Sequence, residues 1–84
     1  MKTLEQYLKE TAKANKTGIF GINACKESIE KDIELRRKYD KGYENKTDEE
    51  MLFEILQEYL TRARRDIFFN PIMIQACWQL INNK

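Results

Sequence analysis

Apolar residues recur along residues 47–70 at the spacing that buries a broad face of an α-helix. Thr47 and Glu50 have the spacing of a capping box, in which two side chains accept hydrogen bonds from backbone N–H groups at a helix start. Asn70 precedes Pro71, which disfavours helical backbone at Asn70 and predicts that the helix ends there. The predicted buried positions are Met51, Leu52, Ile55, Leu56, Tyr59, Leu60, Ala63 and Ile67.

A helix over residues 4–14 is predicted by a narrow apolar stripe and by a second capping box, formed by Thr3 and Gln6. A loop between two glycines follows, and its large apolar residues are Ile19 and Phe20. Two interpretations of this pair stay open. It either fills the core where two helices meet, or it forms an exposed tip that contacts a partner.

A third helix is predicted over residues 23–41, ending at Gly42. Arg36 lies four residues from both Asp32 and Asp40, which predicts a ladder of ion pairs along the helix surface. The apolar stripe of this helix is narrow and consists of Ile22, Cys25, Ile29 and Ile33.

The last helix is predicted to begin with Asn70 as its N-cap and Pro71 as its first residue, and to run to about Asn82. Its apolar side chains cover more than half of the circumference. Because the helices over residues 4–14 and 23–41 offer only narrow stripes, we expect one copy of the chain to leave part of this helix uncovered. These patterns predict an all-α fold in a single domain over residues 1–84: a small bundle of three long helices plus a short, mostly buried C-terminal helix.

The composition argues against an enzyme. The chain has no histidine, which removes the commonest general base and the commonest zinc ligand. Cys25 and Cys77 lack the paired spacing of a zinc or redox motif, and both fall on apolar stripes. We therefore expect no catalytic residue, no cofactor and no metal site.

Charge and hydropathy set the expected location. The formal net charge is only +1, which argues against a strongly basic nucleic-acid binder. Residues 3–15 are charged and resemble no secretory signal, and the longest uncharged run, residues 67–83, is too polar to span a membrane. We expect a cytoplasmic protein with reduced cysteines and no membrane contact.

The function predicted from these features is protein–protein interaction, by a small regulator, adaptor or inhibitor of the kind found as accessory proteins of phages and plasmids. Self-association as a homodimer through the C-terminal apolar surface would cover the last helix. The predicted contact residues are Ile19, Phe20, Phe68, Phe69, Met73, Trp78 and Ile81.

Nucleic-acid binding is the alternative function, because two basic clusters stand late in two of the predicted helices. In a monomer the clusters are expected to lie toward opposite ends of a helical hairpin, whereas a symmetric dimer could bring them together. The candidate phosphate-binding residues are Arg36, Arg37, Lys38, Arg62, Arg64 and Arg65.

Overall fold

The computed structural model describes residues 1–13 and 21–83. This part of the chain forms four α-helices and a short 3₁₀-helix and contains no strand, so the predicted all-α bundle is confirmed. The α-helices are α1 (Leu4–Thr11), α2 (Ile22–Tyr39), α3 (Asp48–Arg65) and α4 (Ile72–Asn82), and the 3₁₀-helix Lys41–Tyr43 connects α2 to α3.

Both predicted capping boxes are present. At the start of α3, Glu50 N donates to Thr47 Oγ1 at 3.1 Å, and Thr47 N donates to Glu50 Oε1 at 3.3 Å. Thr3 and Gln6 make the same reciprocal pair of bonds at the start of α1. These bonds satisfy backbone N–H groups that have no partner within the helix, which is why the helices begin at these residues.

The end of α3 differs from its prediction. The helix stops at Arg65, and Asp66 takes an extended conformation with φ −120° and ψ 110°. Asp66 Oδ1 accepts a hydrogen bond from Phe68 N at 2.9 Å, and Asp66 O accepts one from Phe69 N at 3.1 Å. The aspartate therefore offers the backbone a turn in place of further helix. The predicted extension to residue 70, with Ile67 on the buried face, is wrong.

The other helix ends lie close to their predicted positions. α2 ends at Tyr39, because Asp40 is extended and its Oδ1 accepts from Gly42 N at 3.0 Å. The helix α4 begins at Ile72 with Pro71 at the N-cap position, one residue later than predicted. Asn70 Oδ1 still accepts from Ile72 N at 3.1 Å, so the asparagine side chain satisfies a backbone N–H group at this helix start. The helix α1 ends at Thr11, and the loop residues Ile19 and Phe20 lie outside the described residues.

The helix α4 occupies the centre of the bundle and packs against α1, α2 and α3. Ile74, Ala76 and Cys77 are fully buried, and Ile81 is 9 % exposed. The remaining apolar side chains of α4 are half-buried and pack against the same core. A single copy of the chain therefore covers most of α4, because each neighbouring helix covers one sector of it. The half-buried side chains are the part of α4 that one copy leaves uncovered, as expected.

Two polar contacts fix the neighbours of α4 in place. The hydroxyl of the buried Thr11 lies 2.9 Å from Gln75 Oε1, which joins α1 to α4. The thiol of Cys77 donates to Leu52 O at 3.2 Å, which joins α4 to α3. Gln75 is one of the few uncharged polar residues of α4, and it therefore makes a contact inside the protein.

Candidate functional site

The turn between α3 and α4 exposes two adjacent large apolar side chains. Ile67 is 90 % exposed and Phe68 is 89 % exposed. We call this pair the exposed turn. Side chains of this size are normally withdrawn from water, and adjacent exposed ones commonly mark a binding surface.

A groove of about 540 Å³ adjoins the exposed turn. Residues before and within α1 form one wall, and the end of α3 and the turn form the other. The groove is lined by Met1, Lys2, Tyr7, Glu10, Ala63, Arg64, Asp66, Ile67, Phe69 and Pro71. It therefore combines an apolar floor, formed by Tyr7, Ala63 and Phe69, with charged side chains of both signs.

Charged side chains link the two walls of the groove. Arg64 Nε donates to Lys2 O at 3.0 Å, which joins the end of α3 to the residues before α1. Lys2 Nζ lies 2.9 Å from Glu10 Oε2 and 5.6 Å from the centre of the Tyr7 ring. These contacts are exposed, so each contributes little to stability but restricts the shape of the groove.

The predicted partner-contact residues occupy different environments. Phe69 is half-buried, with its ring centre 5.5 Å from that of Tyr59 and the Arg62 guanidinium 5.0 Å above it. Phe68 alone among the predicted residues is fully open to solvent in the described part of the chain. Met73 and Trp78 are half-buried against the core. Ile81 is in the core and therefore not available to a partner, contrary to the prediction.

The basic cluster of α2 (Arg36, Arg37 and Lys38) is largely neutralised inside the protein. The Arg36 guanidinium donates to both carboxylate oxygens of Glu58, at 2.8 and 3.0 Å, and to Asp32 Oδ1 at 2.9 Å. These hydrogen bonds, and foremost those that Arg36 donates to Glu58, raise the pKa of Arg36 above its ordinary value. Arg37 pairs with Asp48 at the start of α3. The predicted pair with Asp32 is confirmed, but Glu58 of α3 is the second partner of Arg36 rather than Asp40.

The arginines at the end of α3 differ from Arg36 and Arg37 in their ion pairing. We call Arg62, Arg64 and Arg65 the α3 arginine cluster; all three are exposed in the last turn of the helix. None of them pairs with a carboxylate of residues 1–13 or 21–83. This cluster also lies at the opposite end of α3 from the Arg37–Asp48 pair. Arg37 therefore lies far from the α3 arginine cluster, as predicted, whereas Arg36 reaches Glu58, one helical turn before Arg62.

The Arg36 network yields a stability prediction. Replacing Arg36 by methionine is expected to lower the free energy of unfolding by about 1 kcal/mol, because it removes a bidentate pair between α2 and α3 whose members are partly solvated. Arg65→Met is the matched control and should change stability by less than about 0.5 kcal/mol. Urea unfolding of both variants measures the difference. The Arg36 effect should shrink in about 1 M salt, where exposed charges are screened; equal losses in both variants contradict the prediction.

The two cysteines are buried, free thiols. Burial raises the pKa of Cys25, and it raises the pKa of Cys77 to about 12. Thiolate, the reactive form, is therefore scarce at neutral pH in both. The described residues contain no group of three or more cysteine, aspartate and glutamate side chains placed to hold a metal ion.

Among the helices described, none has the length and apolar character needed to cross a lipid bilayer. Comparison with protein-family models, with curated proteins and with solved structures finds no match to this chain.

Proposed function

We propose that this protein is a small protein–protein interaction module that acts as a regulator, adaptor or inhibitor through the exposed turn and the adjoining groove. The observation that carries the proposal is the nearly complete exposure of Ile67 and Phe68 beside a groove with an apolar floor. The free, buried thiols of Cys25 and Cys77 fit a reducing compartment, and we propose a cytoplasmic location on that ground.

The exposed turn replaces α4 as the proposed contact surface. Since one copy of the chain covers most of α4, the need to hide that helix no longer argues for a homodimer. Ile67 and Phe68 are the adjacent pair that most clearly lacks cover in the described structure. Association, with a second copy or with another protein, would have to bury this pair.

The size of the expected contact follows from the surface that it buries. Full burial of each of the two side chains contributes about 1.5–3 kcal/mol. Micromolar affinity requires about 8 kcal/mol, so the turn alone is insufficient. The groove must therefore supply further contacts, and its apolar floor of Tyr7, Ala63 and Phe69 is placed to do so.

A double variant tests this proposal. Ile67→Ser/Phe68→Ser should abolish retention of at least one protein that the wild type retains from a lysate of its source cells, with no loss of helix content by circular dichroism. Leu35→Ser, which changes an exposed apolar residue on α2, is the matched control and should retain the same proteins as the wild type. If the double variant retains every protein that the wild type does, the exposed turn is not the contact surface.

Nucleic-acid binding is the second candidate function, and it is favoured by the α3 arginine cluster, which pairs with no carboxylate of the described residues. The footprint is smaller than that predicted from the sequence, because Arg36 and Arg37, two of the six candidate residues, are already paired with carboxylates. Titration of single-stranded and duplex DNA at low salt tests it. Phosphate contacts are strongest there, so absence of binding under that condition rejects this function.

A further inference from the structure

We infer that the partner segment that covers the exposed turn is acidic as well as apolar. The inference rests on the proposed function, since it specifies the chemistry of the partner at the same surface. It is carried by the position of the α3 arginine cluster, which ends directly before Asp66 and the exposed turn. A segment seated on Phe68 therefore lies within reach of guanidinium groups.

The nearest helical partner for this cluster is occupied elsewhere. Glu58 stands four residues before Arg62 on α3, the spacing at which a glutamate and an arginine pair along a helix. Both of its oxygens instead accept hydrogen bonds from Arg36 of α2, at 2.8 and 3.0 Å. Arg62 accordingly lies over the Phe69 ring and pairs with no carboxylate of residues 1–13 or 21–83.

The other carboxylates around the groove are also engaged. Glu10 pairs with Lys2 at 2.9 Å, and Asp66 Oδ1 accepts from the backbone N of Phe68 at 2.9 Å. Within the groove lining, Lys2 and Arg64 balance Glu10 and Asp66. Arg62 and Arg65, in the same last turn of α3 as Arg64, add two further positive charges beside it. The local excess of two exceeds the net charge of the whole chain, which is +1. The C-terminal end of the α3 dipole offsets only about half a charge of it.

A second copy of this chain is a poor occupant of the surface. Two-fold association places the same patch of each copy against its counterpart. A two-fold axis that passes close to the exposed turn would bring the two arginine clusters near one another, which costs free energy through like-charge repulsion. A different protein that presents aspartate or glutamate beside large apolar side chains fits both features of the surface, because guanidinium groups bind carboxylates bidentately.

A nucleic acid fits the surface less well than such a segment. Ile67 offers no base-stacking face, and the carboxylates of Glu10 and Asp66 line the same groove, where they repel phosphates. The basic residues of α2, which would extend a phosphate track, lie beside other carboxylates.

Selection from a random displayed peptide library tests the inference with the intact protein. The informative peptides are those enriched by selection on the wild-type protein but not on the Ile67→Ser/Phe68→Ser variant. They are expected to combine aspartate or glutamate with leucine, isoleucine, phenylalanine or tryptophan. The affinity of one synthesised peptide is then measured by fluorescence anisotropy. The double variant should weaken binding by at least about tenfold, because it removes two large apolar contacts.

Charge variants separate the contribution of the arginines. A triple variant, Arg62→Gln/Arg64→Gln/Arg65→Gln, should lower the affinity for the peptide by about tenfold, because three exposed ion pairs are lost. The same loss should make the affinity less dependent on salt. Arg65→Gln alone should lower the affinity for the peptide about twofold. This single variant keeps the test valid if the triple variant fails to fold. The matched control, Lys31→Gln/Lys38→Gln/Lys41→Gln, removes the same charge from α2 and the 3₁₀-helix and should leave the affinity unchanged.

Four other results would overturn the inference, and they differ in what they leave of the proposed function. Enriched peptides that are apolar without acidic residues, and that depend on the exposed turn, overturn the inference but leave the proposed function intact. A selection without any enrichment that depends on the exposed turn overturns both. Tighter binding of a single-stranded or duplex oligonucleotide, lost in the triple arginine variant, assigns the surface to nucleic acid instead. A dimer in sedimentation equilibrium that Ile67→Ser/Phe68→Ser abolishes assigns it to a second copy.

Discussion

Replacement of Ile74 by alanine is expected to lower the free energy of unfolding by about 3 kcal/mol. Ile74 is 0 % exposed and lies in α4, which packs against the other three α-helices of the described chain. The truncation therefore leaves a cavity that no single neighbouring helix can fill without moving away from the others. For a domain of this size, a loss of that magnitude is a large part of the total stability.

Urea unfolding followed by circular dichroism measures this loss. Ile67→Ala is the matched control, because it removes the same atoms from a residue that is 90 % exposed, and it should change stability by less than about 0.5 kcal/mol. A loss below about 1 kcal/mol for Ile74→Ala would mean that α4 is loosely packed. In that case the argument that one copy of the chain covers this helix would fail.

Stability is expected to fall steeply above pH 9, because the buried thiol of Cys77 must lose its proton. Burial raises the pKa of this thiol from 9.0 to about 12 in the folded protein. A raised folded pKa means that the folded state holds the proton more tightly than the unfolded state. The contribution to stability is therefore complete below pH 9 and is lost as pH rises from 9 toward 12, at about 1.4 kcal/mol per pH unit.

Cys25 and Tyr59 also lower the stability of the folded protein as pH rises. Burial raises the pKa of Cys25, and burial raises the pKa of Tyr59 above its ordinary value of 10.0. Urea midpoints measured from about pH 8 to pH 11 give the slope for the wild type. Cys77→Ala should be less stable at every pH, since it opens a cavity, but its slope above pH 9 should be shallower by about 1.4 kcal/mol per unit.

The comparison of slopes separates titration from packing. Cys25→Ala should retain most of the alkaline loss, because Cys77 is still present. Identical slopes in the wild type and in Cys77→Ala would show that this thiol is not withdrawn from water in the folded state. Such a result would contradict its burial in the core.

Local features of the chain were predictable because they depend on neighbours in sequence. Thr3 with Gln6 and Thr47 with Glu50 form their capping boxes within three residues, so their spacing alone predicts the helix starts. The pair of Asp32 with Arg36 lies within one helical turn and was predicted for the same reason. Asn70 caps α4 through the N–H group of Ile72.

The end of α3 was mispredicted although its cause is local. The periodic apolar pattern continued through Ile67, and proline at position 71 supplied a plausible end. Asp66 ended the helix earlier, by accepting the N–H group of Phe68 in a turn. An aspartate inside an apolar pattern is a signal for such a turn, and it was the one available indication that Ile67 and Phe68 would be exposed.

The sequence by itself determined the four helices, their caps and the stripes that supply the core, because each depends on residues within a few positions of one another. Only the tertiary structure decided what surrounds each helix. It places α4 between three neighbours, so that one copy of the chain covers most of its broad apolar circumference. It also pairs Glu58 with Arg36 of α2, so that Glu58 does not pair with Arg62 on its own helix. Both outcomes join residues more than twenty positions apart, and no local spacing encodes such contacts.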